Sequence, residues 1–307
     1  MKPSAYKTMN EGFTRYLANQ QKTAPSIRSS IKQVKLFLTW LEQEQIGVQE
    51  VTYQDLLFYM KHCQKRNLTQ KTIQQYITHI RHYYAYLEVE KQVAYNPVAG
   101  IEVKGVKRKA LYYILEPSEL HQLYNGYPGA SLKDRRNKVI LGLLVYQGLK
   151  AGELRKLEVK DVQLREGKIE IPGGRRSNGR VMTLAPCQVM DLYDYVLQVR
   201  PQLMAIKPKK HYRVEKATAK LFIGEGGTYR AFNNFMIHTL TQARKLNSHL
   251  VNVKQVRASV ITKWLKIYNL REVQYRAGHR YISTTESYLQ NDVEGLQEEI
   301  NQYHPLG

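Results

Sequence analysis

Between Tyr6 and Glu90 the apolar residues recur at three- and four-residue spacing in successive stretches, the period of a helix with one buried face. Tyr6 to Gln21 sets Phe13, Tyr16 and Leu17 on one side. Ser26 to Gln45 does the same with Ile31, Val34, Phe37, Leu38 and Leu41. Thr52-Tyr53-Gln54-Asp55 has the form of a capping box and opens a helix running through His62. Thr69 to Glu90 carries Ile73, Tyr76, Ile77, Ile80, Tyr83, Tyr84 and Leu87. Four helices with short connections make a small helical domain.

Asn96-Pro97-Val98-Ala99-Gly100 stops the last of these helices. Lys104-Gly105-Val106-Lys107-Arg108-Lys109 then reads as a basic interdomain linker. A chain of 307 residues is long enough for two domains. The expected division is 1–97 helical, 98–114 linker and 115–307 a second domain. In the latter, Glu116-Pro117-Ser118-Glu119-Leu120 opens a helix, and Val139 to Tyr146 is a buried helix ending at Gly148. Lys168 to Ile171 and Arg180 to Leu184 read as two strands around a polar turn. Asp191 to Arg200 is helical, Leu221-Phe222-Ile223 a short strand, and Lys207 to Lys220 a cationic loop. Helices follow at Ala231 to Arg244, Lys254 to Lys266 and Leu270 to Gly278. The fold class is mainly α with a small β component.

Charge narrows the partner. Lys and Arg number 47 against 26 Asp and Glu, a formal net charge of +21. The excess is spread over ordered segments, among them the outward faces carrying Lys32, Lys35, Lys61, Lys65, Arg66, Lys71 and Arg81. Such a balance implies a polyanion, and double-stranded DNA between two basic domains fits it. The chain has 23 Tyr against 6 Phe, and a Tyr offers an apolar face together with a hydroxyl that reaches phosphate or a wet interface. Cys63 and Cys187 lack metal-ligand spacing, which argues against a zinc site or a disulfide framework and fits a reducing cytosol. The N-terminus lacks the apolar core of a signal peptide, and the run from Val139 to Tyr146 is too short to span a bilayer. A soluble cytoplasmic protein with no membrane partner is expected.

The chemistry concentrates in Ala277-Gly278-His279-Arg280-Tyr281-Ile282-Ser283-Thr284-Thr285-Glu286-Ser287-Tyr288. The spacing suits a loop or helix start carrying an imidazole, then a short helix that returns a phenol to the same pocket. With a pKa of ~10, only about a thousandth of a free phenol is ionised at neutral pH. Cations and a proton acceptor around it make it useful as a nucleophile. In so basic a chain the combination points to a tyrosine that attacks a DNA phosphate.

The segment from Gly278-His279 to Tyr288 resembles the last active-site box of the tyrosine recombinases, the phage-integrase and Xer-like family. Other stretches fall in that family's order. Gly148-Leu149-Lys150-Ala151-Gly152-Glu153-Leu154 resembles its first arginine box, with Leu157 and Asp161 after it. Gly174-Arg175 to Leu184 sits where it has an active-site hairpin, and Lys254-Gln255-Val256-Arg257 where it has His-x-x-Arg. The resemblance covers nearly the whole chain. It implies a helical core-binding domain that clamps DNA, and a mixed α/β catalytic domain. It also implies strand cutting and rejoining through a 3′-phosphotyrosine at Tyr288, without metal, ATP or other cofactor. Arg257 would bind the non-bridging oxygens, and His279 would donate to one of them or manage protons. A C-terminal helix, here Val293 to Tyr303, would pass to a neighbour in a homotetramer or pack on its own domain.

Three positions depart from the pattern. Lys150 stands at the first arginine, Lys254 at the histidine of His-x-x-Arg, and Arg175 or Arg176 at the hairpin lysine. Each change keeps a cation but not its geometry or acidity. Arg155, one turn beyond Lys150, is an alternative source of the missing guanidinium. Glu153 and Asp161 are expected to orient cations and backbone. An active recombinase or integrase, from a mobile element for example, is the leading reading. A catalytically weakened DNA-binding accessory protein of the same fold and a type IB topoisomerase-like enzyme are the alternatives.

Overall fold

Three helices near the N-terminus begin at a threonine whose hydroxyl accepts from the backbone N–H three residues on: Thr23 from Ser26, Thr52 from Asp55 and Thr69 from Thr72. At Thr52 the box is complete, because Asp55 returns a carboxylate oxygen to the Thr52 N–H at 2.8 Å. These caps start α2 (Ala24–Gln43), α3 (Tyr53–Lys65) and α4 (Gln70–Val89), which follow α1 (Pro3–Asn19). The computed structural model describes residues 3–106, 113–175, 177–207, 218–228 and 232–289. The chain divides into two compact units, Met1–Ala110 and Leu111–Gly307.

In the first unit the predicted apolar faces meet: Phe13, Leu17, Val34, Phe37, Leu41, Ile73, Ile77, Ile80 and Tyr84 are all buried. Phe37 stands edge-on to Tyr59, ring centroids 4.9 Å apart, a favoured aromatic geometry. The Tyr84 hydroxyl donates to the Val48 carbonyl at 2.9 Å, anchoring the α2–α3 connection. Arg81, expected on an outward face, turns inward instead. It donates to the carbonyls of Val98 (3.1 Å) and Ile101 (2.6 Å), while Asn96 donates to the Arg81 carbonyl. The chain after α4 therefore folds back on this unit at least to Ile101. Lys107, Arg108 and Lys109 of the basic connector lie outside the described residues.

The second unit is built around α6 (Leu132–Gln147), which packs against α5 (Pro117–Asn125) and later helices. From Val139 to Val145 α6 is buried on every side, as its unbroken apolar run requires. It starts seven residues before that run, at a Ser131/Asp134 capping box. The polar N-terminal half is accommodated by pairing: buried Arg136 donates to Asn137 and to the Ile223 carbonyl and lies 3.7 Å over the Phe235 ring. Gly148 ends α6 in the left-handed region at φ 58°, where an added Cβ would press on Val260 at 3.2 Å.

After α7 (Ala151–Leu154), β1 (Val162–Gln163), β2 (Lys168–Ile171) and β3 (Arg180–Thr183) form an antiparallel sheet in that order. The register pairs Val162 with Ile169, Ile169 with Met182 and Ile171 with Arg180. The two long strands fall where the alternation places them; β1 is too short to carry a periodic signal. Next come α8 (Pro186–Asp194), a π-helical stretch (Tyr195–Val199) and α9 (Arg200–Ala205). Leu221 to Ile223 is not a strand, contrary to expectation. It is buried irregular chain, held by the Tyr195 hydroxyl on the Leu221 carbonyl (2.8 Å) and by the Leu221 N–H on the Leu157 carbonyl (2.9 Å). A fully apolar triplet has no periodicity to separate those outcomes. The described chain closes with α10 (Phe232–Leu246), α11 (Val253–Ile267), α12 (Leu270–Ala277) and α13 (Ile282–Glu286). The cationic loop expected at Lys207 to Lys220 and the helix expected at Val293 to Tyr303 fall largely or wholly outside the described residues. The fold is mainly α with one small sheet.

Candidate active site

Four turns and helix ends converge on one place. Gly148 and Lys150 bracket the step from α6 to α7, and Lys150 is the N-cap of α7. Its N–H is held at 2.9 Å by the carboxylate of Glu153, which is buried. Arg257 lies in the second turn of α11. α12 stops at Gly278, in the left-handed region at φ 62°, and delivers His279. The single turn of α13 then returns Tyr288 beside it.

The loop between β2 and β3 docks on the same segment. Ser177 pairs with His279 as an isolated antiparallel bridge, and the Asn178 N–H donates to the Gly278 carbonyl at 3.2 Å. Arg280 donates to the Arg175 carbonyl at 3.0 Å. Gly173 and Gly179 pass so closely that a Cβ on Gly173 would sit 2.9 Å from the Gly179 nitrogen, so this narrow crossing needs glycine.

Lys150, Arg175, Arg257, His279 and Tyr288 line one open cavity of about 470 Å³, together with Arg280, Tyr281 and Thr284. Five of the six site residues expected from sequence are thus brought together. The sixth, Lys254, is not among the cavity-lining residues. It is exposed in the first turn of α11, its N–H capped by Asn252 at 2.9 Å. Arg155, the alternative guanidinium for position 150, is also exposed and outside the lining. Arg176 lies outside the described residues.

Arg257 is buried and fixed from several sides. It donates to the carbonyls of Gly148 (2.5 Å) and Ala277 (2.6 Å) and to His279 Nε2 (3.0 Å). The Tyr288 hydroxyl also pairs with this guanidinium. A guanidinium has no acceptor, so His279 Nε2 must be the unprotonated nitrogen. Nδ1 then carries the proton and donates to buried Thr285 Oγ1 at 2.9 Å. Burial, reinforced by the Arg257, Lys150 and Arg180 cations, pushes the imidazole pKa down to about 3, so the ring is neutral at physiological pH. It stacks on Tyr288, with ring centroids 5.8 Å apart and planes 13° from parallel.

Behind the cavity, Arg180 donates to both Glu153 oxygens at 3.0 and 3.2 Å, and Arg257 lies 4.0 Å from the same carboxylate. Burial pushes the Glu153 carboxyl up, but the Arg180 fork, the Lys150 N–H and Arg257 together hold it below its ordinary value. Asp161, the other acid singled out from sequence, caps the Glu158 N–H at 2.8 Å. Burial lowers the Lys150 pKa, the Arg257 and Arg180 cations add to it, and Glu153 opposes. Arg180 and Thr285 were not singled out from sequence. Arg180 was hidden among 47 basic residues; a long cation on the inward phase of a strand was its one signal. Among the described residues no helix is long and apolar enough to cross a membrane, and no cluster of His, Cys, Asp or Glu has the arrangement of a metal site.

Comparison with known proteins places this arrangement in a class. The phage integrase family model matches residues 114–294, and the phage integrase N-terminal SAM-like domain matches residues 11–91. The chain belongs to the phage integrase family, the tyrosine recombinases, and its activity class is site-specific DNA recombination. It is 28% identical over 261 residues to the tyrosine recombinase XerC of Natranaerobius thermophilus, covering 83% of this chain and 84% of the relative. It is 24% identical over 286 residues to a tyrosine recombinase of Thermosipho africanus, covering 91% and 93%. In fold it is similar to the XerH site-specific recombinase bound to palindromic difH substrate, with TM-score 0.69 and 17% identity over 89% of this chain and 78% of that one. It is also similar to a lambda integrase dimer bound to a core site, with TM-score 0.64 and 10% identity over 92% and 94%.

Proposed function

We propose that this recombinase cuts and rejoins DNA through a 3′-phosphotyrosine at Tyr288, without metal or ATP. The observation that carries the reading is that Arg257, His279 and Tyr288 share one cavity with the cations of Lys150 and Arg175. In-line attack by the Tyr288 oxygen places extra negative charge on the non-bridging phosphate oxygens, and preorganised donors stabilise it. Arg257 is such a donor, since its carbonyl anchors hold the guanidinium still before substrate arrives. Arg175 and Arg280 add charge at the rim. The phosphotyrosine conserves the bond energy, so a 5′-hydroxyl can reverse the step with no energy source. Lys254 is omitted from this catalytic set because it is exposed outside the cavity.

The organisation follows: residues 1–97 as a core-binding domain on duplex DNA, 98–114 as linker, and 115–307 as catalytic domain, working as a homotetramer on DNA. The net charge of +21 supports the DNA contacts. A second reading, a weakened enzyme retained as a DNA-binding accessory factor, draws support from Lys150 and Arg175 standing where the family has arginine and lysine. Covalent trapping decides between them. The protein is incubated without metal with nicked duplexes tiled from the DNA flanking its gene and run on denaturing gels. An adduct that disappears in Tyr288→Phe supports the enzyme. Site-selective binding with no adduct, and an adduct gained by Lys150→Arg, supports the weakened one.

A further inference from the structure

Resting on the phosphotyrosine reading, the cavity raises a question that its own residues answer: which group supplies the proton to the departing 5′-oxygen. An alkoxide is a poor leaving group, and a positioned acid speeds such a step by about 10²–10⁴-fold. Three of the cations that line the cavity are arginines, Arg175, Arg257 and Arg280, and a guanidinium does not give up its proton near neutral pH. His279 is neutral, and its one N–H is committed to Thr285. Tyr288 is the nucleophile. What remains is Lys150 and two hydroxyls, Thr284 and Tyr281. Thr284 is an alcohol like the leaving group and offers no gain in acidity. Tyr281 is 67% exposed at the rim.

We propose that Lys150 is the general acid of strand cleavage, and that Arg175 serves the phosphate as a fixed charge only. As Tyr288 Oη bonds to phosphorus, the bond from phosphorus to O5′ breaks. A proton moves from Lys150 Nζ to O5′, leaving a neutral amine and a free 5′-hydroxyl. The phenol proton leaves to water in the open cavity. In rejoining, the amine takes the proton of the attacking 5′-hydroxyl. The surroundings suit both halves of that cycle. Lys150 is half-buried, its backbone is pinned by Glu153, and Arg257 and Arg180 favour loss of its proton, while Glu153 keeps it from being lost too readily. In this pocket the proton donor sits at the start of α7 and a permanent cation sits on the hairpin.

The test uses the full chain and the tile that traps an adduct, made in two forms: ordinary, and with sulfur replacing the bridging 5′-oxygen. A thiolate leaves without a proton, because a thiol has a pKa of roughly 8.5. Lys150→Met is expected to form adduct about 100-fold or more slowly on the oxygen substrate and within a few fold of wild type on sulfur. Lys150→Arg, which keeps the charge, should show the same selective rescue. Arg175→Met should be slowed on both substrates alike, and Tyr281→Phe on neither. Rescue by sulfur also shows that a variant is folded. Equal slowing of both Lys150 variants on the two substrates overturns the proposal, as does selective rescue of Arg175→Met or Tyr281→Phe. Failure of the underlying reading looks different: wild type yields no adduct on either substrate, or Tyr288→Phe still yields one.

Discussion

The Arg180 fork closes on both oxygens of the Glu153 carboxylate, at 3.0 and 3.2 Å, with the Arg180 side chain wholly buried. Breaking a buried pair strands the remaining charge and costs about 3–5 kcal/mol. Glu153→Gln and Arg180→Met should each lower the unfolding free energy of the catalytic unit by that order. The double variant should lose less than the sum, because neither charge is left alone. Urea titration of the three proteins measures the coupling, and strict additivity would contradict it.

Gly278 is held by backbone and by space. At φ 62° an L-residue costs about 1–2 kcal/mol, and here an added Cβ would also fall 2.4 Å from an Arg180 guanidinium nitrogen. Gly278→Ala should therefore destabilise more than Gly167→Ala, whose φ of 59° is similar but whose nearest contact is 3.9 Å. Adduct formation should fall for the former and hold for the latter. Equal effects would mean that Arg180 moves aside freely.

The depressed His279 pKa has a signed consequence. An unfolded histidine titrates near 6.5, whereas the folded one is pushed down to about 3. Between those values the unfolded state binds the extra proton, so stability rises with pH across that window and is lost as pH falls through it. His279→Gln should flatten this part of the stability–pH curve. Imidazole nitrogen NMR at pH 6 should find Nδ1 protonated and Nε2 bare. Thr285→Val, which removes the Nδ1 partner, should disturb that tautomer, and an unchanged spectrum would refute its role.

Exposure separates two cations on one helix. Arg257 is buried in the cavity wall and Lys254, one turn earlier, is exposed. Arg257→Lys should reduce adduct formation by about 100-fold or more, since a single ammonium cannot replace the fork. Lys254→Ala should change the rate only a few fold, with any loss appearing as weaker, more salt-sensitive DNA binding. A Lys254→Ala protein as inactive as the Arg257 variant would return Lys254 to the chemistry.

What the chain disclosed in advance was whatever is encoded at short range. The amphipathic helices were legible because Phe13, Phe37 and Ile77 sit on a 3.6-residue period that only a helix can bury. His279 and Tyr288 were legible because one short turn joins them. The start of α6 was not, since Arg136 and Asn137 read as solvent-facing until Ile223 and Phe235 arrive from 87 and about 100 residues away. The exposure of Lys254 was not legible, because three-residue spacing puts it on the same side of the helix as Arg257 but does not say where the cavity ends. The His279 tautomer was illegible for a related reason, since it depends on Arg257 and Thr285 together.

Because Ser177 is paired with His279 and Asn178 with Gly278, the hairpin is no independent flap. It and the imidazole segment are joined backbone to backbone, and Arg280 adds a third tie to the Arg175 carbonyl. Displacing either one would strain the other.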